Sequence, residues 1–150
     1  MTGRLIGIAR VLELRAPMEE MNSAEVSAAR GIDGDARGMK PGRQITVLFR
    51  EGWNDACREL DIALPWTTRR ANLCVEGMER PRETGGRLRI GEIELEVMHE
   101  TNPCMLMERF QPGLKAALTP DWRGGVCCNV VKGGTLRLGD TVAYEAGHRG

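Results

Sequence analysis

The chain is 150 residues long, and this length predicts one domain over residues 1–150 that folds without disulfide staples. Its 21 lysines and arginines balance its 21 acidic residues, and the resulting zero net charge argues against a nucleic-acid partner. No apolar run approaches the roughly 20 residues of a membrane span, and no signal peptide is evident, so we expect a cytoplasmic protein without a membrane partner.

The first half of the chain predicts strands. Short alternating runs separated by turns, in a sequence with 19 glycines, favour a mainly β protein, either a barrel or a sandwich. Strands are predicted over 5–14 and 44–49. A less regular segment at 24–29 leads into the turn-rich stretch 31–35.

One helix is predicted over 51–60. Apolar side chains recur at helical spacing at Trp53, Cys57, Leu60 and Leu64, and Pro65 closes this stripe. Because Cys57 lies on the stripe, we expect its thiol to belong to the core.

The second half predicts further strands and two short helices. Strands are predicted over 73–75, 88–90, 93–97, 126–131 and 136–144, and helical stretches over 104–110 and 113–118. Residues 85–92 and 133–140 are identical at five positions. They predict two similar hairpin-like units in which Glu92 and Asp140 act first in turns.

The five cysteines do not predict a zinc site or a disulfide framework. Their number is odd, no two are spaced as CxxC, and the two histidines, His99 and His148, are far apart. Free thiols are the expectation in a reducing compartment. The neighbours Cys127 and Cys128 point to opposite faces of an extended strand, which disfavours a disulfide between them.

Cys104 is the candidate reactive residue. It follows the alternating strand 93–97 and directly follows Pro103, which stops ladder pairing and presets a turn. The thiol is therefore expected at a strand exit on the rim of the β-structure. There it would serve as a nucleophile, a sulfur carrier or a soft metal ligand, whereas the alternative is a buried structural cysteine.

Arginines stand at strand entrances and glycine-rich turns. They are Arg43, the pair Arg69 and Arg70, and Arg123 before Gly124. Guanidinium groups and exposed backbone N–H groups both bind oxyanions, so with a nearby thiol they predict an anionic or phosphorylated ligand that carries a soft centre. A Cys–His hydrolase is disfavoured because no acid is evident to orient His99. No phosphate-binding loop or dinucleotide fingerprint is present.

The ordered motifs of the chain resemble those of the MOSC domain, the family named for the C-terminal part of molybdenum cofactor sulfurase. The matching stretches are 31–35 (GIDGD), 43–48 (RQITVL), 70–73 (RANL), 88–91 (LRIG), 103–104 (PC), 123–126 (RGGV) and 133–140 (GGTLRLGD). Two departures stand out. Many stand-alone members have histidine after the Gly-Asp motif, where this chain has Ala36 and Arg37, and cysteines occupy positions 127 and 128.

The resemblance implies a mainly β fold, a β-barrel with a few small peripheral helices. It implies binding of the molybdenum cofactor, a pyranopterin with a terminal phosphate, and it makes Cys104 either a carrier of persulfide sulfur or a molybdenum ligand. The residues it implies in the cofactor pocket are Arg43, Arg70, Asn72, Arg123 and Gly124. No pyridoxal phosphate site is expected, because that cofactor belongs to the aminotransferase-like domain of fused relatives.

Three hypotheses follow. The first is a cofactor-binding or sulfur-carrier module served by a cysteine desulfurase-type sulfur donor. The second is a molybdenum-dependent reductase of N-hydroxylated compounds that takes electrons from a separate electron-transfer protein, since the chain has no flavin, haem or iron–sulfur signature. The third is a non-enzymatic interaction domain, in which Cys104 would be buried and no pocket would lie beside it.

Overall fold

The computed structural model describes residues 2–147, so His148 lies outside the described residues. The strands are β1 (Thr2–Arg10), β2 (Glu19–Met21), β3 (Ser23–Ser27), β4 (Gly31–Ile32), β5 (Ile45–Phe49), β6 (Leu73–Glu76), β7 (Arg87–Ile90), β8 (Ile93–Glu100), β9 (Val126–Lys132), β10 (Gly134–Arg137) and β11 (Thr141–Glu145). The helices are α1 (Arg50–Glu59), α2 (Met105–Phe110) and α3 (Leu114–Leu118), with 3₁₀ helices at Trp66–Arg69 and Pro120–Trp122. Within residues 2–147 every helix is too short or too polar to cross a membrane.

Seven strands form a closed β-barrel. Their order is β1, β11, β7, β8, β9, β5 and β6, and the barrel closes because β1 pairs with both β6 and β11. Strands β5 and β6 run parallel, whereas the other neighbours in the barrel are antiparallel. Strand β2 extends one edge of β1, and β10, β3 and β4 make a second small sheet. The mainly β, barrel-type prediction is confirmed.

Alternation explains why the barrel interior is apolar. In β8, Ile93, Leu95 and Val97 point inward and are buried, while the residues between them are partly exposed. Strand β5 departs from this pattern because all five of its residues are buried. Its Val47 faces the barrel interior, whereas Leu48 packs outward under the helices.

The helices form a second apolar cluster outside the barrel. Trp53 and Cys57 of α1 are buried there together with Met107 of α2 and Leu114 of α3. The Trp53 indole N–H donates to the Leu64 carbonyl (3.0 Å), which ties the end of the predicted stripe back onto the helix. The prediction of a helix over 51–60 with Cys57 in the core is confirmed.

The predicted first strand runs too far. Strand β1 ends at Arg10 and not at residue 14, because the backbone of Val11 forms its hydrogen bonds with residues 35 and 36 instead of with a strand. The Asp35 carboxylate accepts the Val11 N–H (2.9 Å), and the Ala36 N–H donates to the Val11 carbonyl (2.7 Å). The chain therefore leaves the barrel after Val11, and Leu14 lies on an exposed loop.

The two similar stretches do not form two similar hairpins. Strands β7 and β8 pair across a tight turn, as predicted, but β10 and β11 pair with other strands. The Asp140 carboxylate accepts the Arg137 N–H (2.9 Å), and the Leu5 N–H donates to the Asp140 carbonyl (2.9 Å). Contact with β1 thus turns the chain into the barrel at this point and splits the predicted strand 136–144 into β10 and β11.

Candidate functional site

A cavity of about 740 Å³ lies where β1 and β8 end and β6 and β9 begin. Its lining comes from the loop after β1, the loop before β5, the residues before β6, the exit of β8 and helix α2. Val47 of β5 is level with both Leu73, where β6 begins, and Val126, where β9 begins, so the residues that precede these two strands meet beside the middle of β5.

The charge of this cavity has one sign. Six arginines line it: Arg15, Arg37, Arg43, Arg69, Arg70 and Arg109. No aspartate or glutamate is among the lining residues that the structure describes. Since the whole chain is neutral, this local excess of positive charge is balanced by acidic side chains elsewhere. The cavity is therefore suited to an anionic ligand.

Cys104 lies exposed at the edge of this cavity. Strand β8 ends at Glu100, the Thr101 N–H donates to the Gly125 carbonyl (2.9 Å), and the Met107 N–H donates to the Cys104 carbonyl (3.0 Å). Because Met107 is buried in the outer cluster, it anchors the short helix that follows the thiol. The predicted strand-exit position is confirmed, and the burial expected by the third hypothesis is absent.

The other four cysteines are buried. Burial raises the pKa of Cys74 to about 12 and also raises the pKa of Cys128, which lies in the barrel core. Cys127 faces away from that core, and its sulfur is 3.2 Å from the Thr101 hydroxyl. Among residues 2–147, Cys104 is therefore the thiol that a ligand or reagent in solution can reach.

Arg69 forms part of the cavity floor. Its side chain is almost fully buried, and it donates from Nε to the Gly124 carbonyl (3.1 Å) and from Nη2 to the Thr101 carbonyl (2.9 Å). Burial lowers the pKa of Arg69, the nearby sulfurs of Cys104 and Cys127 raise it, and the charge of Arg43 lowers it. These contacts place the guanidinium between the loops that precede Cys104 and strand β9.

Gly124 packs closely against the loop that precedes Cys104. A Cβ atom at this position would lie 2.4 Å from the Thr101 carbonyl oxygen and 3.2 Å from Arg69 Nη2. Only glycine fits without displacing one of them. Gly124 lines the cavity, so this predicted site residue is placed beside Cys104.

Arg70 and Arg37 hold the cavity wall. Arg70 has a left-handed backbone conformation (φ 62°), and its Nη2 donates to the Ala16 carbonyl (2.7 Å). Arg37 donates from Nη1 to the Arg70 carbonyl (2.7 Å) and contacts the Asp35 carboxylate (3.5 Å). Burial lowers the pKa of Arg70, and the Arg37 charge lowers it further. Both arginines still line the cavity.

Two predicted site residues are not part of the lining. The Asn72 side chain is buried, with Oδ1 accepting the Thr46 N–H (3.0 Å) and Nδ2 donating to the Ala9 carbonyl (3.1 Å). Arg123 forms an ion pair with Glu59 (2.7 Å) and donates to the Ala117 carbonyl (3.0 Å). The structure thus places Asn72 between three strands and Arg123 between helices.

Sequence reasoning missed several lining residues. Arg69 was part of the recognised Arg69–Arg70 pair, and Arg37 stood out as a departure from the family pattern, so both carried a signal. Arg15 and Arg109 carried none, because a loop and an exposed helical face can hold arginine without any ligand. Only the fold brings these side chains to the same cavity as Arg43.

The site does not supply a metal cage of its own. Across residues 2–147 no three His, Cys, Asp or Glu side chains are close enough to hold a metal ion together. A metal at Cys104 would have to arrive with further ligands, as it does in an organic metal cofactor. One accessible thiol beside an arginine-lined cavity fits such an anionic cofactor.

Comparison with known proteins identifies one family model and several similar structures. The model of the MOSC domain matches residues 34–143, more than half of the chain. The YuaD protein from Bacillus subtilis is 20% identical, with a TM-score of 0.82 over 99% of this chain and 98% of that one. YiiM from Escherichia coli is 16% identical, with a TM-score of 0.69 over 95% and 70%. A comparison with curated proteins finds no match.

Proposed function

Because this chain belongs to the MOSC domain family, we propose that its arginine-lined cavity binds the molybdenum cofactor and that Cys104 meets the sulfur- or metal-bearing end. One observation supports this proposal most directly. A single cavity has six arginines, no acidic residue among the described lining residues, and the exposed thiol at its edge. The family as a whole is associated with this cofactor.

The arginines would hold the anionic pterin by different means. Arg43 and Arg109 are exposed, and their side chains form no hydrogen bond or ion pair within residues 2–147, so their guanidinium forks are free to take a phosphate bidentately. Arg37 and Arg70 are already tied to backbone carbonyls, which orients them before a ligand arrives. Such preorganisation reduces the entropy lost on binding.

Cys104 would supply the one covalent contact. When bound, the cofactor supplies a molybdenum centre that is capable of redox chemistry and of taking a thiolate ligand. The chain itself contributes an accessible sulfur, and as a persulfide carrier the same sulfur would hold the atom to be transferred. Partner proteins in this proposal are a cysteine desulfurase-type donor for sulfur transfer or an electron-transfer protein for reduction.

The test is cofactor loading in a host that makes the molybdenum cofactor. Molybdenum, pterin and labile sulfur are measured on the purified protein, and we expect Cys104→Ser to lose molybdenum or persulfide sulfur while its fold is retained. Cys57→Ala removes a thiol in the helical cluster and is the matched control, which should load like the wild type. Full loading of Cys104→Ser in both molybdenum and sulfur would refute the role of this residue.

Reduction of N-hydroxylated compounds is the second candidate function. The apolar side chains of Leu14, Leu106 and Phe110 line the open part of the cavity, which leaves apolar surface for an organic substrate near Cys104. Loaded protein supplied with an external reductase should then turn over an N-hydroxylated substrate. Turnover equal to that of cofactor-free protein would exclude this activity.

A further inference from the structure

Arg69 is a buried cation that lacks an anionic partner. Its two hydrogen bonds go to the carbonyl oxygens of Gly124 and Thr101, and no carboxylate forms an ion pair with it in the described part of the chain. An arginine side chain stays protonated in proteins. The cavity floor therefore contains a positive charge that its own protein surroundings do not neutralise.

Such a charge is costly unless an anion accompanies it. Buried ionised groups are normally paired or coordinate a metal, since neutral carbonyl oxygens offset only part of the lost hydration. Within residues 2–147 the hydrogen bonds of the Arg69 side chain come from Nε and Nη2, which leaves Nη1 without a partner, and the side chain lines the cavity. The remaining donor capacity is thus available to a ligand that enters the cavity.

We propose that Arg69 forms an anion subsite on the cavity floor, beside Cys104, that binds a small oxyanion separate from the phosphate of the cofactor. The oxyanion has the chemistry of sulfate or phosphate, and it is either a free ion or the anionic end of a substrate. The subsite deepens the proposed function, because it places an anionic co-ligand at the end of the cavity where Cys104 lies.

Burial distinguishes Arg69 from the outer arginines, Arg43 and Arg109. Arg43 and Arg109 are exposed and can follow a ligand, whereas Arg69 is held by two loop carbonyls and cannot leave the floor. The terminal phosphate of the pterin is remote from its metal- or sulfur-bearing end. A cofactor whose latter end meets Cys104 would therefore hold its phosphate away from that sulfur, which leaves Arg69, a neighbour of Cys104 in the cavity lining, to a different anion.

The test measures protection of Cys104 by sulfate in cofactor-free protein. Since the other four cysteines are buried, iodoacetamide labels Cys104 first, and intact-mass spectrometry follows the rate. Sulfate is compared with chloride at equal ionic strength. Each variant's rate with sulfate is divided by its own rate without sulfate, so changes in basal thiol reactivity cancel.

We expect sulfate to slow labelling in the wild type. In Arg69→Gln the half-protecting concentration should rise roughly tenfold, as expected when a charge-assisted hydrogen bond is lost. The double variant Arg43→Gln/Arg109→Gln should change by less than roughly threefold, and Arg58→Gln, on the exposed face of α1, should not change. Unaltered protection in folded Arg69→Gln, or its loss in the outer double variant, would overturn the proposal.

Calorimetry covers the case in which Arg69→Gln does not fold. Sulfate is then titrated into the wild type and the outer double variant. Binding to both proteins supports the floor subsite, whereas binding to neither, or only to the wild type, rejects it.

Sulfate titrated into cofactor-loaded protein distinguishes the two sources of anion. Retained binding supports a separate oxyanion, whereas loss means that the pterin phosphate occupies Arg69. Normal molybdenum loading with no sulfate binding removes the subsite and leaves the proposed function intact.

Discussion

At the scale of single residues, the same amino acid type takes opposite roles in this site. Arg69 and Arg70 are consecutive, yet Arg69 ends a 3₁₀ helix on the cavity floor and Arg70 turns in a left-handed conformation toward the Ala16 carbonyl. Arg123 matches a family motif but neutralises Glu59. A motif position therefore predicts that a residue matters, and the local backbone decides whether it faces a ligand or another element.

Asn72→Ala should mainly lower stability. The side chain joins β1, β5 and β6, and its removal leaves the Thr46 N–H and the Ala9 carbonyl without partners in the core. We expect a loss of about 3 kcal/mol in the free energy of unfolding, measured by urea denaturation. Asn54→Ala, on the exposed face of α1, should stay within about 0.5 kcal/mol of the wild type. Unchanged stability of Asn72→Ala would contradict this role.

Gly124→Ala should disturb the loop that carries Cys104. The added Cβ meets the Thr101 carbonyl at 2.4 Å, so the backbone must shift, at a cost of about 1–3 kcal/mol. The rate of Cys104 alkylation should change together with stability, because Thr101 is three residues from the thiol. Gly52→Ala is the matched control, since a Cβ in helix α1 meets its nearest neighbour, the end of the Arg80 side chain, at 3.2 Å. An unaltered thiol reactivity in Gly124→Ala would show that the two loops move independently.

At the scale of elements, local pattern sufficed where an element is built from its own residues. The alternation of β8 and the apolar stripe of α1 predicted both correctly. Local pattern gave the wrong strand ends where a distant segment forms the deciding hydrogen bond. The Asp35 carboxylate binds the Val11 N–H at the end of β1, and the Leu5 N–H binds the Asp140 carbonyl between β10 and β11. Those hydrogen bonds join residues far apart in sequence, so the periodicity of apolar residues within either segment cannot predict them.

The candidate site shows the same division. The position of Cys104 at a strand exit and the presence of arginines near it were predictable, because a strand, a proline and nearby arginines are local features. The full set of lining residues was not predictable, because Arg15 and Arg109 reach the cavity only through the way in which the loop after β1 and helix α2 fold over it. Asn72 was expected in the pocket, yet its amide serves the strands beneath it.

The 3₁₀ helix before Gly124 should lose stability in acid. The Asp121 carboxylate accepts hydrogen bonds from Arg82 (2.6 Å) and Arg80 (2.9 Å), and these guanidinium groups lower the pKa of Asp121. A lowered folded-state pKa means that the contribution is complete above the ordinary aspartate range and disappears as pH falls through the lowered value.

Denaturation midpoints of the wild type and Asp121→Asn, followed from neutral to acidic pH, should therefore converge in acid. Asparagine tolerates the left-handed backbone at this position (φ 55°), so the variant tests the charge and not the turn. Asp33→Asn is the control, because within residues 2–147 Arg10 contacts the backbone carbonyl of Asp33 and no cation contacts its carboxylate. A gap between wild type and Asp121→Asn that is constant with pH would rule out the ionic contribution.

At the scale of the whole molecule, a neutral chain separates its charges in space. On the barrel strands, positive and negative side chains form ion pairs such as Arg87–Glu96 and Arg89–Glu145. The charged side chains that line the cavity in the described part of the chain are all arginines. The neutral composition argued against a nucleic-acid partner, yet it could not reveal the local positive charge of the cavity. Net charge describes the molecule as a whole, and a ligand meets only one part of its surface.

Anion binding in the cavity should therefore weaken with salt. Raising the ionic strength screens the exposed arginines, for which the Debye length is about 8 Å at physiological salt, while the buried Arg69 is screened less. We expect the apparent Kd for the cofactor to rise with sodium chloride, with a smaller slope in Arg43→Gln/Arg109→Gln. Equilibrium dialysis with molybdenum analysis measures both. A slope equal to that of the wild type would show that these two side chains do not contact the ligand.

Barrel closure by β1 and β11 has a consequence for synthesis of the protein. Thr2 pairs with Ala143, so the two strands that complete the barrel come from opposite ends of the described chain. During translation β1 leaves the ribosome before β11, and residues 2–4 of β1 stay unpaired along one edge until residues 141–145 have also left it. Pairing of such distant partners is slow, which makes the nascent protein most vulnerable to aggregation in the interval before its last strand arrives.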